Sequence, residues 1–395
     1  MSTRRALISG YGIAGAAIAY WLTRAGWEVT VVERAEAVRS SGNPVDVRGE
    51  AVDAVRAMGC YEELRERATG VTAVEFVDRA GRRIGGFPIQ PTDRTGGFEI
   101  WRQELAEGLS RAVTGARILW GESIVDVRQD ARGVDATLSG GAQLRSDLLV
   151  AADGLHSAVR ALVLAPEATA VSPLGLWIAT LPCPVGEVDP HTVLVYNEPG
   201  RMASVHPAGG RPGAALMFRA GPSRHQDVHD PQHQKALVAR AFKGSGWLVP
   251  SILEHLQRAG DVYFDEACQV QVRRWSKDRV VLLGDAASSV TIFGDGSSMA
   301  IVGARELARA LGRHPDVGDA LAAYEAAQRT RVAPRQRQVQ LASHFLVPAS
   351  AAGLRGRNAL LRARGWFGRP RGRPRPALDG NGAGSSATNG RSARR

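Results

Sequence analysis

Apolar and polar positions alternate with two different periods along this chain, and the changes of period outline its elements. Ala6, Leu7 and Ile8 form a short continuous apolar run, which suits a strand buried on both faces. Segment 13–25 is amphipathic with helical spacing, and a second apolar run ends at Glu33. A helix is predicted over 50–58, ended by Gly59, and another over 102–112, where Leu105, Leu109 and Ala112 share a face. Segments 74–77 and 84–89 flank the turn signal Asp78-Arg79-Ala80-Gly81 and read as a hairpin. Segments 124–127 and 134–138 read as a second antiparallel pair, and 148–152 is apolar throughout, as a buried central strand requires. Strand-like segments follow at 176–181, 193–196, 202–206 and 214–219. Helices are predicted at 232–242 and 248–257, strands at 262–272 and 280–283, and helices at 298–311 and 320–345. Pro334 is expected to kink or break the last helix, because proline lacks the N–H that a helix interior needs.

Composition narrows the class. The 395 residues can bury two intimately joined domains, and no apolar run reaches the roughly 18 residues of a membrane span. The first strand begins within a few residues of Met1, so no signal peptide is expected. Cys60, Cys183 and Cys268 are far apart and form neither a metal-spaced pair nor a disulfide framework, so no metal is expected and a reducing cytoplasm is the default. The net charge of +11 misleads, because eleven arginines and one acid lie after position 353. The body of the chain is nearly neutral, so its charge does not argue for a nucleic-acid-binding surface. From about 365 onward Gly, Pro, Ser and Arg dominate, and disorder is expected there.

Three stretches carry candidate chemistry. The first is Gly10-Tyr11-Gly12-Ile13-Ala14-Gly15, between the first apolar run and the first helix, with Glu33 18 residues beyond Gly15. Strand, glycine turn, helix, strand and acid is the layout of a dinucleotide-binding unit. Gly10 allows the tight turn, Gly12 lets the backbone approach a pyrophosphate, and Gly15 lets helix and strand pack closely. The helix N-terminus offers free N–H groups to phosphate, and Glu33 can accept hydrogen bonds from ribose hydroxyls. The second stretch is Asp147-Leu148-Leu149-Val150-Ala151-Ala152-Asp153-Gly154, with Ser157 and Arg160 following. The third is Val280-Val281-Leu282-Leu283-Gly284-Asp285-Ala286-Ala287, then Gly294-Asp295-Gly296-Ser297-Ser298 at the start of a helix.

In their order and spacing these three stretches resemble the signatures of the class A FAD-dependent monooxygenases, the para-hydroxybenzoate hydroxylase family, and the resemblance covers residues 1 to about 345. It implies an α/β fold in which a Rossmann-like FAD-binding domain is interleaved with a mixed-sheet substrate domain and followed by C-terminal helices. The expected division is 1–172 for the first part of the FAD-binding domain, 173–275 for the substrate sheet, and 276–345 for the return segment with its helices. Residues 346–395 are then a basic low-complexity tail.

The resemblance also implies roles. Gly10, Gly12, Ile13, Ala14 and Gly15, with Glu33 and Arg34, would hold the ADP half of FAD. Arg102 would pair with the pyrophosphate, where a planar guanidinium gives bidentate contact. Asp153 would lie on the FAD side and help organise the site for NAD(P)H, and Asp285 would bond the ribitol hydroxyls. Gly294, Gly296, Ser297 and Ser298 would bring backbone N–H groups to the flavin N1–C2=O edge. Asp46 and Arg48 belong to a loop that the family places near the flavin ring. Where many members carry a histidine and then a proline, this chain has Ser288-Ser289-Val290-Thr291-Ile292-Phe293, so Phe293 is expected to shape the pocket instead.

Substrate is expected against the second sheet. Val193 and Val195, Met202 and Ser204, and Leu216 and Phe218, with Trp177 nearby, are the candidate lining, each against the simpler reading that it is core. His156 and His206 are read as structural or exposed, and no catalytic base is identified. The implied function is an FAD-dependent, NAD(P)H-consuming monooxygenase that inserts one oxygen atom from O2 into an aromatic or polycyclic small molecule, in secondary-metabolite tailoring or antibiotic modification. The alternatives are a flavin reductase that works without O2 and a redox-silent FAD-bound cyclase or binding protein. A flavin-dependent halogenase is disfavoured, because Gly246-Trp247-Leu248-Val249-Pro250 does not match that family's Trp-x-Trp-x-Ile-Pro motif.

Overall fold

The structure is a computed structural model that describes residues 3–38, 43–89, 96–164, 166–184, 189–207, 212–220, 230–260, 262–289 and 294–367. Two large sheets organise it. The first has six strands in the spatial order Ser276–Lys277, Val280–Leu282, Leu148–Ala151, Arg5–Ser9, Glu28–Glu33 and Arg117–Trp120. All its pairings are parallel except that of Ser276–Lys277. Three of its four interior strands, Val280–Leu282, Leu148–Ala151 and Arg5–Ser9, hold the continuous apolar runs of the sequence. Leu7, Ile8, Leu149, Val150 and Val281 are each at most 1% exposed, as expected of a parallel sheet covered on both faces.

The order of these strands has a direct consequence for the site. Arg5–Ser9, Leu148–Ala151 and Val280–Leu282 are neighbours, so the three signature loops leave the same edge of the sheet side by side. Open α/β sheets bind ligands in the crevice outside the carboxyl ends of their strands. Helices Ile13–Arg24 and Asp295–Arg313 start from the first and third loops and pack against each other.

The second sheet has seven strands in the order Tyr263–Val270, Val171–Pro182, Gly213–Arg219, Arg201–His206, Thr192–Glu198, Ala73–Val77 and Arg83–Pro88. It is mixed, because Thr192–Glu198 runs parallel to Ala73–Val77. The early hairpin therefore joins the second sheet, although it lies in the N-terminal part of the chain. Helices Pro231–Ala241 and Val249–Arg258 carry Val238, Ile252 and Leu256, which pack under one face. A short ribbon of Pro44–Val47 against Phe98–Trp101 lies beside the first sheet's loops, so Asp46 is on a strand and not in a loop. A smaller three-stranded sheet is built from Ile124–Asp130, Gly133–Leu138 and Gln143–Ser146.

Helix Val317–Leu346 runs through Pro334, so the proline does not break it. It is tied to the body on both sides of the proline, by Tyr324 Oη to the Leu282 carbonyl and Gln328 Nε2 to the Met299 carbonyl before it, and Gln336 Nε2 to the Val270 carbonyl after it. These anchors outweigh the roughly 3 kcal/mol cost of an internal proline. The start of the expected tail is helical too, as Ala351–Phe367. Its Leu361 is 3% exposed, and its backbone lies so close to Gly85 that a Cβ there would stand 2.9 Å from the Leu361 carbonyl oxygen. The disorder expected from 365 falls almost wholly outside the described residues.

Candidate functional site

The glycine turn has the geometry its residue types demand. Gly10 has φ +93°, and a Cβ on it would stand 2.6 Å from the Ala152 carbonyl oxygen. A Cβ on Gly15 would stand 1.9 Å from the Gly10 oxygen, so the helix packs on the turn with no room for a methyl group. At Gly12 the reverse holds: a Cβ would meet nothing within 4 Å. No protein neighbour explains that glycine. Glu33 reaches back to the turn, where Oε2 accepts the Tyr11 N–H at 2.7 Å and Oε1 accepts the Ala35 N–H at 2.9 Å. Arg34 beside it is exposed.

The second and third signatures are clasped together by Arg160, which is wholly buried. It donates to the Leu155 carbonyl at 2.8 Å and to the Ala286 carbonyl at 3.1 Å. Asp153 acts from behind the site. Its Oδ2 accepts the Val159 N–H at 3.2 Å, and Gly154, not Asp153, borders the cavity. Burial pushes the Asp153 carboxyl up, while Ser157 and the Val159 N–H pull it down. Its Oδ1 is buried without a hydrogen-bond partner among the described residues.

Asp285 stands on a single 3-10 turn, Gly284–Ala286, with Arg102 Nη2 3.9 Å from its Oδ2. Burial raises the Asp285 carboxyl pKa, and Arg102 opposes that shift. Gly294 caps helix Asp295–Arg313 with φ +85°, and a Cβ on it would stand 3.2 Å from Asp46 Oδ2. Ser298 Oγ donates to the Asp46 carbonyl at 2.7 Å and accepts the Arg48 N–H at 3.0 Å, so its hydroxyl sews the Asp46 strand to the helix start. Ser297 and Gly296 border the open space instead. Asp46 itself is pushed up to about 6, first by burial and further by Glu99 and Asp295, against the pull of Arg48 at 2.8 Å.

Some of these groups border one cavity of about 1050 Å3, whereas Gly10, Gly12, Gly15, Glu33, Arg34, Asp153 and Ser298 are not on its wall. Ile13, Ala14, Asp46, Arg48, Arg102, Asp285, Gly294, Gly296 and Ser297 line one end. The other end is the second sheet, where Ile178, Thr180, Val193, Val195, Met202, Ser204, Ala215 and Met217 face inward. The register sets this face, since Met202 pairs with Met217 and Ser204 with Ala215. Trp177, Leu216 and Phe218, expected at the lining, are not on it. Trp177 pairs with Phe218 in register and stacks on Phe264 at 5.1 Å, and Phe218 meets Phe242 edge-on at 6.2 Å. In a strand one step reverses the face. On strand Gly213–Arg219 the expectation had taken Leu216 and Phe218, and the cavity wall takes Ala215 and Met217. Phe293 lies outside the described residues.

One cavity residue, Glu99, escaped the sequence reading, and the pairing of His206 with it was not foreseen. Glu99 and His206 lie 2.9 Å apart on the wall, His206 Nε2 to Glu99 Oε1. His206 is therefore half of a part-buried pair and not exposed, in keeping with the structural reading. The available signal was the alternation in Phe98-Glu99-Ile100-Trp101, which sets Glu99 on the face opposite the buried Phe98 and Ile100.

The donor set fits FAD. An open glycine turn at one helix N-terminus suits a pyrophosphate. A second helix N-terminus and an Arg–Asp pair lie further along the same wall. Among the described residues, no helix is long and apolar enough to cross a membrane.

The chain matches the family described as "FAD binding domain" over residues 3–338. It is 36% identical over 313 residues to an uncharacterised protein of Mycobacterium tuberculosis (strain ATCC 25618 / H37Rv), covering 76% of this chain and 83% of that protein. It is 32% identical over 314 residues to a flavin-dependent monooxygenase of Legionella longbeachae, covering 76% and 79% respectively. Among solved structures it resembles the tetracycline destructase Tet(51), with TM-score 0.78 and 27% identity over 92% of this chain and 96% of that one. Klebsiella pneumoniae HpxO, complexed with FAD and uric acid, shares the fold at TM-score 0.74 and 22% identity, over 91% and 93%. The chain belongs to the FAD-binding-domain family and, within it, to the FAD-dependent monooxygenases.

Proposed function

We propose that this protein consumes NAD(P)H and transfers one oxygen atom from O2 to a planar aromatic or polycyclic small molecule, in metabolite tailoring or antibiotic modification. The observation that carries the reading is the continuity of the cavity. The same space touches the cofactor-type groups Arg102, Asp285 and Ser297 and the apolar strand face of Val195, Met202 and Met217. Its size of about 1050 Å3 reaches the upper end of ordinary ligand pockets, room for the reactive end of a cofactor and a flat guest together.

Bound FAD supplies the hydride acceptor and the oxygen chemistry. The chain supplies position. The turn of Gly10, Gly12 and Gly15, with Glu33 and Arg34, holds the ADP half. Arg102 pairs with the pyrophosphate and Asp285 with ribitol hydroxyls, while Asp153 supports the loop from behind. The N-terminus of helix Asp295–Arg313 offers N–H groups where the reduced ring gathers negative charge. The sheet wall excludes water and holds the flat guest by its apolar face. In this division of labour the first sheet serves the cofactor and the second serves the substrate.

The test is NAD(P)H oxidation by the FAD-loaded protein, with and without planar candidates, under air and under argon. Tetracycline heads the panel, since two structures that this chain resembles at 27% and 29% identity are named tetracycline destructases. Substrate-stimulated, O2-dependent oxidation with a product one oxygen atom heavier is expected. Substrate turnover that persists under argon would replace the reading with a reductase. A yellow protein that never oxidises NAD(P)H would replace it with a redox-silent role.

A further inference from the structure

Two hydroxyls interrupt the apolar wall of the second sheet. Thr180 pairs with Ala215 in register, Ala215 with Ser204, and Ser204 with Val195, so the four stand in one row across neighbouring strands and share a face. All four border the cavity. The next row on that face is Ile178, Met217 and Met202, which is apolar throughout. Thr180 and Ser204 are thus set two strands apart, a separation of about 9.5 Å, with only the Ala215 methyl group between them.

The other polar groups of this wall already have partners. The Tyr263 hydroxyl, beside Thr180 on the adjoining strand, donates to Asp265 Oδ2 at 3.3 Å, and His206 is held by Glu99. Thr180 is 8% exposed, yet neither its hydroxyl nor that of Ser204 bonds to any of the described residues. Neither oxygen is sealed from the cavity, unlike His206 Nδ1, which has under 1 Å2 of accessible surface. An unpaired hydroxyl in an apolar wall costs stability, and valine or alanine would fill these positions without that cost. Water can serve both hydroxyls until a guest arrives. A wholly apolar guest strips that water and leaves them unpaired, whereas a guest oxygen takes its place.

We propose that Thr180 and Ser204 are specificity-determining residues, and that each binds one oxygen function of a flat guest whose rings lie over Ala215 between them. This deepens, and rests on, the monooxygenase reading. With a hydrogen bond of about 2.8 Å at each end, the two guest oxygens are roughly 4–10 Å apart. Oxygens on adjacent ring carbons are too close together to reach both hydroxyls, and oxygens on opposite sides of a ring system reach both. Each hydroxyl donates or accepts, so guest carbonyls and hydroxyls both qualify. The two bonds fix where the guest sits along the row. They thereby select the carbon it presents to the cofactor end, where Tyr263 of the same row feels the charges of Arg102 and Asp285.

The test is binding to the FAD-loaded, oxidised protein, with neither NAD(P)H nor turnover. The probes are naphthalene, a naphthol and two naphthalenediols, one with its hydroxyls on adjacent carbons and one with them at opposite ends of the two rings, each followed by its fluorescence. The end-to-end diol should bind about tenfold more tightly than the naphthol or the adjacent diol, and the naphthol about tenfold more tightly than naphthalene. Thr180→Val and Ser204→Ala should each weaken the end-to-end diol about tenfold and leave naphthalene binding as it was, with no loss of flavin and no fall in melting temperature. Equal loss for naphthalene and the diol would mark a change of wall shape and overturn the proposal. So would an adjacent diol that binds as tightly as the end-to-end one, a melting temperature lowered in both variants, no loss in either variant, or failure of the whole series to bind. Because no oxygen is consumed, each of these leaves the monooxygenase reading standing. The expected binding pattern without O2-dependent turnover of any oxygenated guest would overturn that reading and leave the two hydroxyls as a binding site.

Discussion

Gly12 and Gly15 belong to one motif yet are glycines for opposite reasons. Gly15 is glycine because the protein fills the space, with a Cβ 1.9 Å from the Gly10 oxygen. Gly12 is glycine although the protein leaves the space open. Gly15→Ala should therefore destabilise the apoprotein by about 1–3 kcal/mol and lose the cofactor with it. Gly12→Ala should keep apoprotein stability within about 0.5 kcal/mol and still weaken FAD binding tenfold or more. Urea unfolding and flavin titration separate the two, and normal FAD affinity in Gly12→Ala would remove the pyrophosphate from that turn. Asp46 makes a second prediction at this scale. Its folded pKa of about 6 lies above the ordinary 3.8, so the folded state holds the proton more tightly. That contribution to stability is complete below about pH 4 and is lost as pH rises through about 6, on the order of 2–3 kcal/mol. Asp46→Asn lacks the term, so its stability relative to the natural chain should rise by that amount between pH 4 and pH 7. A constant difference in unfolding free energy would refute the assignment.

Strands decide by parity what they show to the cavity. Apolar residues occupy both faces of Gly213–Arg219, so hydrophobic pattern alone could not say which face meets substrate. The helices Pro231–Ala241 and Val249–Arg258 settle it by covering the face of Leu216 and Phe218. Phe218→Ala should cost about 3–5 kcal/mol of stability and leave the substrate KM unchanged in the molecules that fold. Met217→Leu, a volume-conserving change on the other face, should cost under about 1.5 kcal/mol and shift that KM. Thermal unfolding set beside steady-state kinetics checks both, and the opposite pattern would reverse the face assignment. Helices were more legible than strand faces: the predicted 102–112 matches Arg102–Ala112, because a 3.6-residue apolar stripe names its own buried side. Pro334 misled, because a local rule about backbone N–H groups cannot see tertiary anchors such as Tyr324 and Gln336.

Across the whole molecule, the C-terminal helix closes the far edge of the second sheet. Arg357 lies over the Phe76 ring at 4.3 Å and donates to Asn197 Oδ1 at 2.9 Å, and Leu361 packs on strand Arg83–Pro88. Phe345 and Leu346, just before this helix, border the cavity, so the closure reaches the site. Leu361→Ala should cost about 2–5 kcal/mol, and ending the chain at 349 should cost more and reduce flavin content. Ending it at 367 should leave both unchanged. A chain ending at 349 that unfolds like the full one would show that the helix adds nothing.

By itself, the sequence determined where a tight glycine turn, two strand-end acids and a glycine-capped helix form. Glycine conformational limits, continuous apolar runs and capping positions act within a few residues, so Gly10, Gly12, Asp285 and Gly294 are readable one loop at a time. Only the tertiary structure decided what those loops meet. Strand order brought three signatures, spread from Gly10 to Gly294, to one edge. Register chose Met217 over Phe218, and the approach of two distant strands joined Glu99 to His206, a contact across 107 positions that no local pattern announces. Such pairings depend on how sheets stack, and stacking is set by the whole core at once.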